Sequence, residues 1–205
     1  MRKNKLIVLL IVGVVSGLTL ESAQAAKKRS GSKPASAPVV ALTESEAHDL
    51  LFMREEEKLA RDVYITLYAE WGVRVFNNIS RSEQQHMDAI LGLLNQYGQA
   101  DPAIESGRFS DAKLQELFDA LTAKGLQSKL NALMVGALIE EVDMEDLAQA
   151  MLRTDKSDII SAYINLMKGS ENHLKAFAKN IEAITGEPYA AQWISQQDVD
   201  AILGR

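Results

Sequence analysis

Glutamate and histidine residues occur in this sequence at a spacing that can bind a metal ion. Glu83-Gln84-Gln85-His86 is a Glu-x-x-His pair, and residues three apart on a helix project from the same face. Carboxylate and imidazole ligands without sulfur suit iron, manganese or zinc. The pair is short enough to occur by chance in many helices, so its meaning depends on the rest of the chain.

Three further helical segments place polar residues among their core-facing apolar positions. On a helical wheel of about 100° per residue, Glu57 lies within the apolar stripe of the first long segment. His173 lies within the stripe of the last segment, together with Ser170. In the third, Glu141 falls near the centre of the stripe and Glu140 at its edge, and a one-residue rotation of the wheel exchanges the two. A metal ion would offset this buried negative charge, which is costly when unpaired.

Each of these residues also has a simpler interpretation. Acidic runs such as Glu55-Glu56-Glu57 and residues 140–145 are usual on solvated helix faces, and acids favour helix starts. A lone His173 is more often a hydrogen-bonded core histidine than a ligand. A purely structural polar core is therefore the alternative, but inward polar residues on all four long segments favour a metal site.

The elements that must position these residues are helices. The chain has 47% apolar residues, 4 Pro and no Cys, and strand-forming runs are scarce. Thr43 and Glu46 form a capping-box pattern, and Gly72, Gly98 and Gly186 are helix stops. The sequence predicts long helices over about 44–70, 75 or 80 to 97, 128–152 and 156–185, a short helix over 111–123 capped by Ser110, and a final turn over 198–203.

The connections between these helices predict the topology. Each pair of long helices has a short connection, so its members should run antiparallel. The connection between helices 2 and 3 is long, roughly 25 residues, and carries the short extra helix. The sequence therefore predicts an all-α fold, a four-helix bundle with the long crossover between helices 2 and 3 that is typical of ferritin-like proteins.

The N-terminal segment has the three parts of a secretory signal peptide. Arg2, Lys3 and Lys5 precede an apolar stretch over 6–20, and Ala23-Gln24-Ala25 supplies a small-x-small cleavage pattern. The alternative is a membrane anchor, but the apolar run is short for a span of about 20 residues.

Cleavage after Ala25 would leave no stable membrane anchor and would place the mature protein in the periplasm or outside the cell. We expect a signal peptide over 1–25, a flexible linker over 26–41 that is rich in Ser, Lys, Pro, Ala and Gly, and the helical domain over 42–205.

Charge and cysteine content exclude several classes of protein. The formal net charge is −6 and the predicted domain has no basic patch, which argues against a nucleic-acid partner. The absence of Cys excludes disulfides, thiolate metal sites and lipid attachment through Cys.

Four sequence blocks together resemble a known family. The stretch from Glu57 to Tyr64 is similar to the first-helix Glu-x-x-Ala-Arg-x-x-Tyr pattern of rubrerythrin-type proteins. With residues 82–87, 136–143 and 169–174 it more closely resembles the uncharacterised ferritin-like family DUF2202, over about 42–202.

The resemblance implies a ligand set by analogy with rubrerythrins. The implied metal ligands are Glu57, Glu83, His86, Glu141 and His173, with Glu140 and Asp143 as additional candidates and Tyr64 and Ser170 beside them. The chain departs from the di-iron pattern at Ser170, where the fourth helix would supply a glutamate. The expected cofactor is therefore an iron or manganese ion, mononuclear or dinuclear, with zinc disfavoured.

These observations leave three functions open. A reduced metal site reacting with O₂ or peroxide would give ferroxidase or peroxide-related activity. A site that binds metal without turnover would serve sequestration. A polar core without metal would belong to a helical interaction module. Whether the protein is an enzyme, and whether it forms the homodimer common among such bundles, stays open at this stage.

Overall fold

The computed structural model describes residues 41–205, which form six α-helices and no β-strand. The helices are α1 (Glu44–Trp71), α2 (Arg74–Gln96), α3 (Ala112–Gly125), α4 (Lys129–Met151), α5 (Ser157–Thr185) and α6 (Gln196–Leu203). The prediction of an all-α fold is confirmed for this part of the chain. The predicted signal peptide and nearly all of the predicted linker lie outside the described residues. Within the described range, no helix is long and apolar enough to cross a bilayer.

The predicted helix ends are largely observed, and the local reasons are the expected ones. The Thr43 hydroxyl accepts a hydrogen bond from the Glu46 amide, while the Glu46 carboxylate accepts one from the Thr43 amide. This is a full capping box. Gly72 adopts φ 62° and ends α1 in the left-handed conformation that glycine favours.

The cap of α3 differs from the prediction. Asp111, not Ser110, is the N-cap, and its carboxylate accepts hydrogen bonds from the amides of Lys113 and Leu114. Ser110 has other partners, because its amide donates to Glu55 and its hydroxyl donates to a backbone carbonyl of the crossover.

The four long helices run antiparallel to their neighbours. Asp49 near the start of α1 pairs with Arg153 just beyond α4, whereas Tyr64 farther along α1 meets Gly136 early in α4. The same reversed order holds between α2 and α5 and within each pair joined by a short connection. As a result α2 and α4 run parallel, so the chain between them must traverse the length of the bundle.

Polar side chains of α1 hold this crossover in place. Arg54 makes a two-pronged ion pair with Asp101, and the Lys58 ammonium donates to the carbonyl of Arg108 at 2.8 Å and to Asp62 at 2.7 Å. Lys58 is buried because the crossover covers it. One side of α1 is thus polar although it is buried, since it faces the crossover and not the apolar core.

The interior of the bundle contains two apolar clusters. The larger includes Tyr64, Phe76 and Phe177, and the smaller includes Ile90 and Tyr163. Each long helix contributes to both clusters, and each carries buried polar side chains between the clusters or, on α4, next to residues of the larger one. This polar layer is where the sequence predicts the metal site.

Candidate metal centre

The polar layer between the apolar clusters collects carboxylates and imidazoles from all four long helices. Its members are buried almost completely, with His86 the most exposed at 9%. They are Glu57 from α1, Glu83 and His86 from α2, Glu140 and Asp143 from α4, and Ser170 and His173 from α5. The predicted convergence of these residues is therefore present in the structure.

Glu83 lies at the centre of this layer. Its Oε2 is 2.8 Å from Nδ1 of His86 on the same helix, and its Oε1 is 2.9 Å from Nδ1 of His173 on the facing helix. The two imidazole rings are roughly parallel, with centroids 5.4 Å apart. One carboxylate is thus shared by two histidines through its two oxygens.

Each histidine also faces a second carboxylate. Glu57 Oε2 is 3.2 Å from His86 Nδ1, and Glu140 Oε2 is 3.3 Å from His173 Nδ1. The result is two triads that share Glu83, and in each triad the ligand atoms lie within 4.8 Å of one another. Both triads have the donor set of a carboxylate–imidazole metal site.

The charges of the layer are strongly coupled. Burial alone would lower the pKa of His86, but Glu57 and Glu83 raise it to about 11. In the same way Glu140 and Glu83 outweigh burial and raise the pKa of His173 to about 10. Burial raises the pKa of Glu57 and Glu140. Burial acts on Glu83 in the same direction, but the two histidines outweigh it and lower the pKa of Glu83 to about 2. The raised pKa values favour protonated imidazoles, which attract the carboxylates of the layer.

Two carboxylate oxygens in the layer lack hydrogen bonds. Glu57 Oε1 and Asp143 Oδ1 are buried and accept none, whereas Glu83 Oε1 has His173 Nδ1 as its close contact. Buried polar groups are almost always paired in native proteins, and an unpaired one costs about 1–3 kcal/mol. Unused oxygens next to two imidazoles fit metal ligation.

Asp143 and Ser170 are joined within this layer. The Ser170 hydroxyl lies 2.5 Å from Asp143 Oδ2 and 3.1 Å from the carbonyl of Leu166. Burial raises the pKa of Asp143 to about 7 against the lowering effect of the Ser170 hydrogen bond. Ser170 occupies the predicted inward position and contacts a carboxylate from the facing helix.

The structure separates Glu141 from the layer. Its carboxylate accepts a hydrogen bond from the Tyr189 hydroxyl at 2.6 Å and from the backbone amides of residues 192–194. Glu140 occupies the position that the sequence assigned to Glu141. The helical wheel alone could not separate these neighbours, and a rotation of α4 by one residue accounts for the difference.

Tyr64 lies beside the layer, as expected from the sequence. Its hydroxyl donates to Glu140 Oε1 at 2.5 Å, and its ring packs against Phe76 and Phe177. The side chain is fully buried, and burial with the nearby Glu140 raises its pKa. Tyr64 therefore fixes the orientation of Glu140 and closes this side of the layer with an aromatic cluster.

The solvated-face interpretation of the acidic runs is wrong for most of their residues. Glu55, Glu56 and Glu57 are all buried, as are Glu140, Glu141 and Asp143. Glu55 accepts a hydrogen bond from the Ser110 amide of the crossover. Burial, and then the neighbouring Asp146, raise the pKa of Glu56. The buried acids therefore lie in different surroundings: Glu55 contacts the crossover, Glu141 contacts the C-terminal segment, and others belong to the polar layer.

The sequence analysis missed two residues that position the histidines. Ser82 Oγ lies 2.8 Å from Nε2 of His173, and Ser82 is four residues before His86, so helical spacing could have found it. Gly169 on α5 lies against the His86 ring, where an added Cβ would be 2.6 Å from Cε1 and closer still to Nε2. Nothing in the spacing of α5 alone predicts that contact.

The helices and the layer define the class of this protein, an all-helical domain with a buried carboxylate–histidine cluster. A family model described as an uncharacterised protein domain, DUF2202, matches residues 46–205, and the chain belongs to this family.

Comparison with known proteins agrees with this assignment. The chain is 45% identical over 170 residues to the uncharacterised protein MJ0754 of Methanocaldococcus jannaschii, covering 82% of this chain and 91% of that one. A crystal structure of the hypothetical protein MJ0754 from Methanococcus jannaschii is also similar. It aligns with this chain at a TM-score of 0.79 and 44% identity. That alignment covers 83% of this chain and 98% of the other.

Proposed function

We propose that this protein binds two transition-metal ions, iron or manganese, between the long helices of a ferritin-like bundle. The observation that carries the proposal is the position of Glu83, whose two oxygens lie 2.8 and 2.9 Å from the Nδ1 atoms of two different histidines. A carboxylate in this position can bridge two ions, each completed by one histidine and one further glutamate.

The charge balance of the layer supports a bound metal. When all are ionised, Glu57, Glu83, Glu140 and Asp143 carry more negative charge than the two imidazoles can neutralise. The buried oxygens Glu57 Oε1 and Asp143 Oδ1 accept no hydrogen bond. A purely structural polar network is stable only when all its members are satisfied. Divalent ions would satisfy these oxygens, so the metal site is favoured over the helical interaction module.

The topology supports the ferritin-like assignment. The helices joined by short connections are antiparallel, and α2 and α4 run parallel, which requires a crossover along the bundle. One long crossover between the second and third long helices distinguishes ferritin-like bundles from simple up-down bundles. The ligand pattern and the connectivity therefore agree.

The chain favours a reaction in which the metal itself provides the electrons. With iron bound, the layer would promote the oxidation of Fe²⁺ to Fe³⁺, with O₂ or peroxide as the oxidant. The 205 residues contain no Cys, so they lack thiolate ligands for an electron-transfer centre. Electrons would therefore have to come from Fe²⁺ itself or from a partner, and we expect ferroxidase-like chemistry in which Fe²⁺ supplies them.

A metal-dependent shift in melting temperature tests the binding proposal. Adding Mn²⁺, or Fe²⁺ without oxygen, should stabilise the wild-type domain, by about 2.7 kcal/mol for each occupied site at a hundredfold excess over its Kd. The shift should be lost in His86→Ala and His173→Ala. His48→Ala is the matched control, because its side chain is 71% exposed. An equal shift in all four proteins would contradict the proposal.

Stopped-flow absorbance separates oxidation from storage. Mixing the domain with Fe²⁺ and O₂ should give Fe³⁺ faster than buffer alone, and Glu83→Gln should abolish the gain. Metal sequestration without turnover predicts normal binding with no oxidation above background. That result would retain the metal site and reject the ferroxidase assignment.

A further inference from the structure

Asp143 lies inside the polar layer but belongs to neither triad. It follows Glu140 by three residues on α4, so both side chains project from the same face. The residue is 5% exposed, and its Oδ1 accepts no hydrogen bond. An unpaired carboxylate oxygen at this depth is costly unless something else binds it.

The hydrogen bond to Ser170 and the three-residue spacing from Glu140 place Asp143 beside the second triad. After burial and the Ser170 hydrogen bond, the groups that shift its pKa are Glu140, Glu83 and His86, which agrees with a position near both triads. Asp143 is in turn the main charge acting on Glu57. A carboxylate that is close to both triads can contact both ions.

Ser170 determines how this carboxylate is held. Helix α2 carries Glu83 three residues before His86, and α5 carries Ser170 three residues before His173. The Ser170 side chain is too short to bridge two ions, but its hydroxyl binds Asp143 Oδ2 at 2.5 Å. The hydrogen bond fixes one oxygen and leaves Oδ1 free.

We propose that Asp143 is a second carboxylate shared by the two ions, supplied from α4 and oriented by Ser170. The proposal rests on the two-metal site proposed above. With Glu57, Glu83 and Glu140, Asp143 brings four carboxylates against two divalent ions, so the loaded layer is neutral. Asp143 is then a metal ligand, and Ser170 is a positioning residue.

Removing the carboxylate from α4 and restoring one from α5 tests this arrangement. Asp143→Ser should bind one Mn²⁺ tightly and the second at least tenfold more weakly, while the wild type binds two. The double variant Asp143→Ser/Ser170→Glu restores a carboxylate to the layer from α5 and should recover two ions per chain. Glu145→Ser is the matched control, because Glu145 is exposed on the same helix.

Electron paramagnetic resonance of the Mn²⁺-loaded proteins measures whether the two ions are magnetically coupled. A merely structural role of Asp143 would leave this coupling unchanged. The wild type and the double variant should show a magnetically coupled pair, whereas Asp143→Ser should show isolated Mn²⁺. If Asp143→Ser does not fold, Asp143→Asn, which keeps the size of the side chain, should show the same loss.

Two results would overturn the assignment of Asp143. One is two coupled ions at wild-type affinity in both single Asp143 variants, and the other is a loss that Ser170→Glu does not reverse. A wild type that binds no Mn²⁺ would instead reject the metal site itself, so the two failures can be distinguished.

Discussion

Glu83 is the residue on which both halves of the site depend. Its oxygens face the imidazoles of His86 and His173, whose pKa values are raised to about 11 and about 10. A proton on each Nδ1 lies where the ligand lone pair must meet a metal ion. Metal binding must therefore displace protons, and proton and metal compete for the same nitrogen.

We expect metal affinity to rise with pH through the neutral range. An ordinary histidine, with a pKa of about 6.5, would stop competing above neutrality. Because His86 and His173 keep their protons to higher pH, the affinity for Mn²⁺ should still increase between about pH 7 and pH 8.5. Isothermal titration calorimetry in buffers of different ionisation enthalpy should detect proton release on binding. Affinity independent of pH over this range would contradict the assignment of these nitrogens as ligands.

Glu140 and Glu141 are adjacent residues with separate roles. Glu140→Gln should weaken metal binding because Glu140 belongs to a triad. Glu141→Gln should leave metal binding unchanged but lower the free energy of unfolding by about 2 kcal/mol, since it weakens charge-assisted hydrogen bonds to the C-terminal segment. Urea unfolding and metal titration of both variants check this. A loss of metal binding in Glu141→Gln alone would reverse the two roles.

At the scale of the elements, the site depends on close approach between α2 and α5. The His86 ring occupies space directly over Gly169, where any side chain would collide with it. The absence of a Cβ on α5 therefore allows the ring to point its Nδ1 at Glu57 and Glu83. A glycine within a helix costs about 1 kcal/mol relative to alanine, and here the packing explains it.

Gly169→Ala should displace His86 and weaken the triad that contains it. We expect at least a tenfold loss of affinity for one of the two ions, with little change at the His173 triad. Gly92→Ala is the matched control, because Gly92 is exposed on α2 with open space around it and should gain helix stability. Metal titrations followed by unfolding curves separate the two effects. Equal metal binding in both variants would show that Gly169 has no positioning role.

The elements also show what the sequence can predict here and what it cannot. Apolar periodicity and end signals such as Thr43 and Gly72 depend on local chemistry, so the helices and their order were predictable. The inward set of Glu57, Glu83, His86 and His173 followed from the same periodicity. The choice between Glu140 and its neighbour depends on the rotation of α4 about its axis, which packing sets.

Burial of charged residues on α1 was not predictable for a different reason. Glu55 and Lys58 look like a solvated face in sequence, yet the crossover covers them and supplies their partners, the Ser110 amide and the Arg108 carbonyl. Those contacts join residues about fifty positions apart. The local sequence around α1 cannot predict that a distant loop packs on this helix.

At the scale of the whole molecule, the bundle is built as two apolar clusters around one charged layer. The apolar clusters exclude water from the layer, which strengthens every charge interaction inside it. At the level of this layer, buried charged groups replace apolar packing, which costs folding free energy. We infer that metal binding compensates for this cost and makes the stability of the fold depend on the metal.

The whole chain carries a further prediction about location. The basic start, the apolar stretch over 6–20 and Ala23-Gln24-Ala25 predict export and cleavage after Ala25. Expression of the full chain in a bacterium should yield an envelope protein whose N-terminus is Ala26. Intact mass and N-terminal sequencing of the envelope fraction check this. A chain that keeps residues 1–25 would contradict the signal-peptide assignment.

The central claim is that two ions share Glu83 inside the bundle. Crystals of the Mn²⁺-loaded domain measured near the manganese absorption edge would test it most directly. We predict two anomalous peaks per chain, one among Glu57, Glu83 and His86 and the other among Glu83, Glu140 and His173. Saturating metal with no peak in this layer, or with peaks at surface carboxylates alone, would contradict the account.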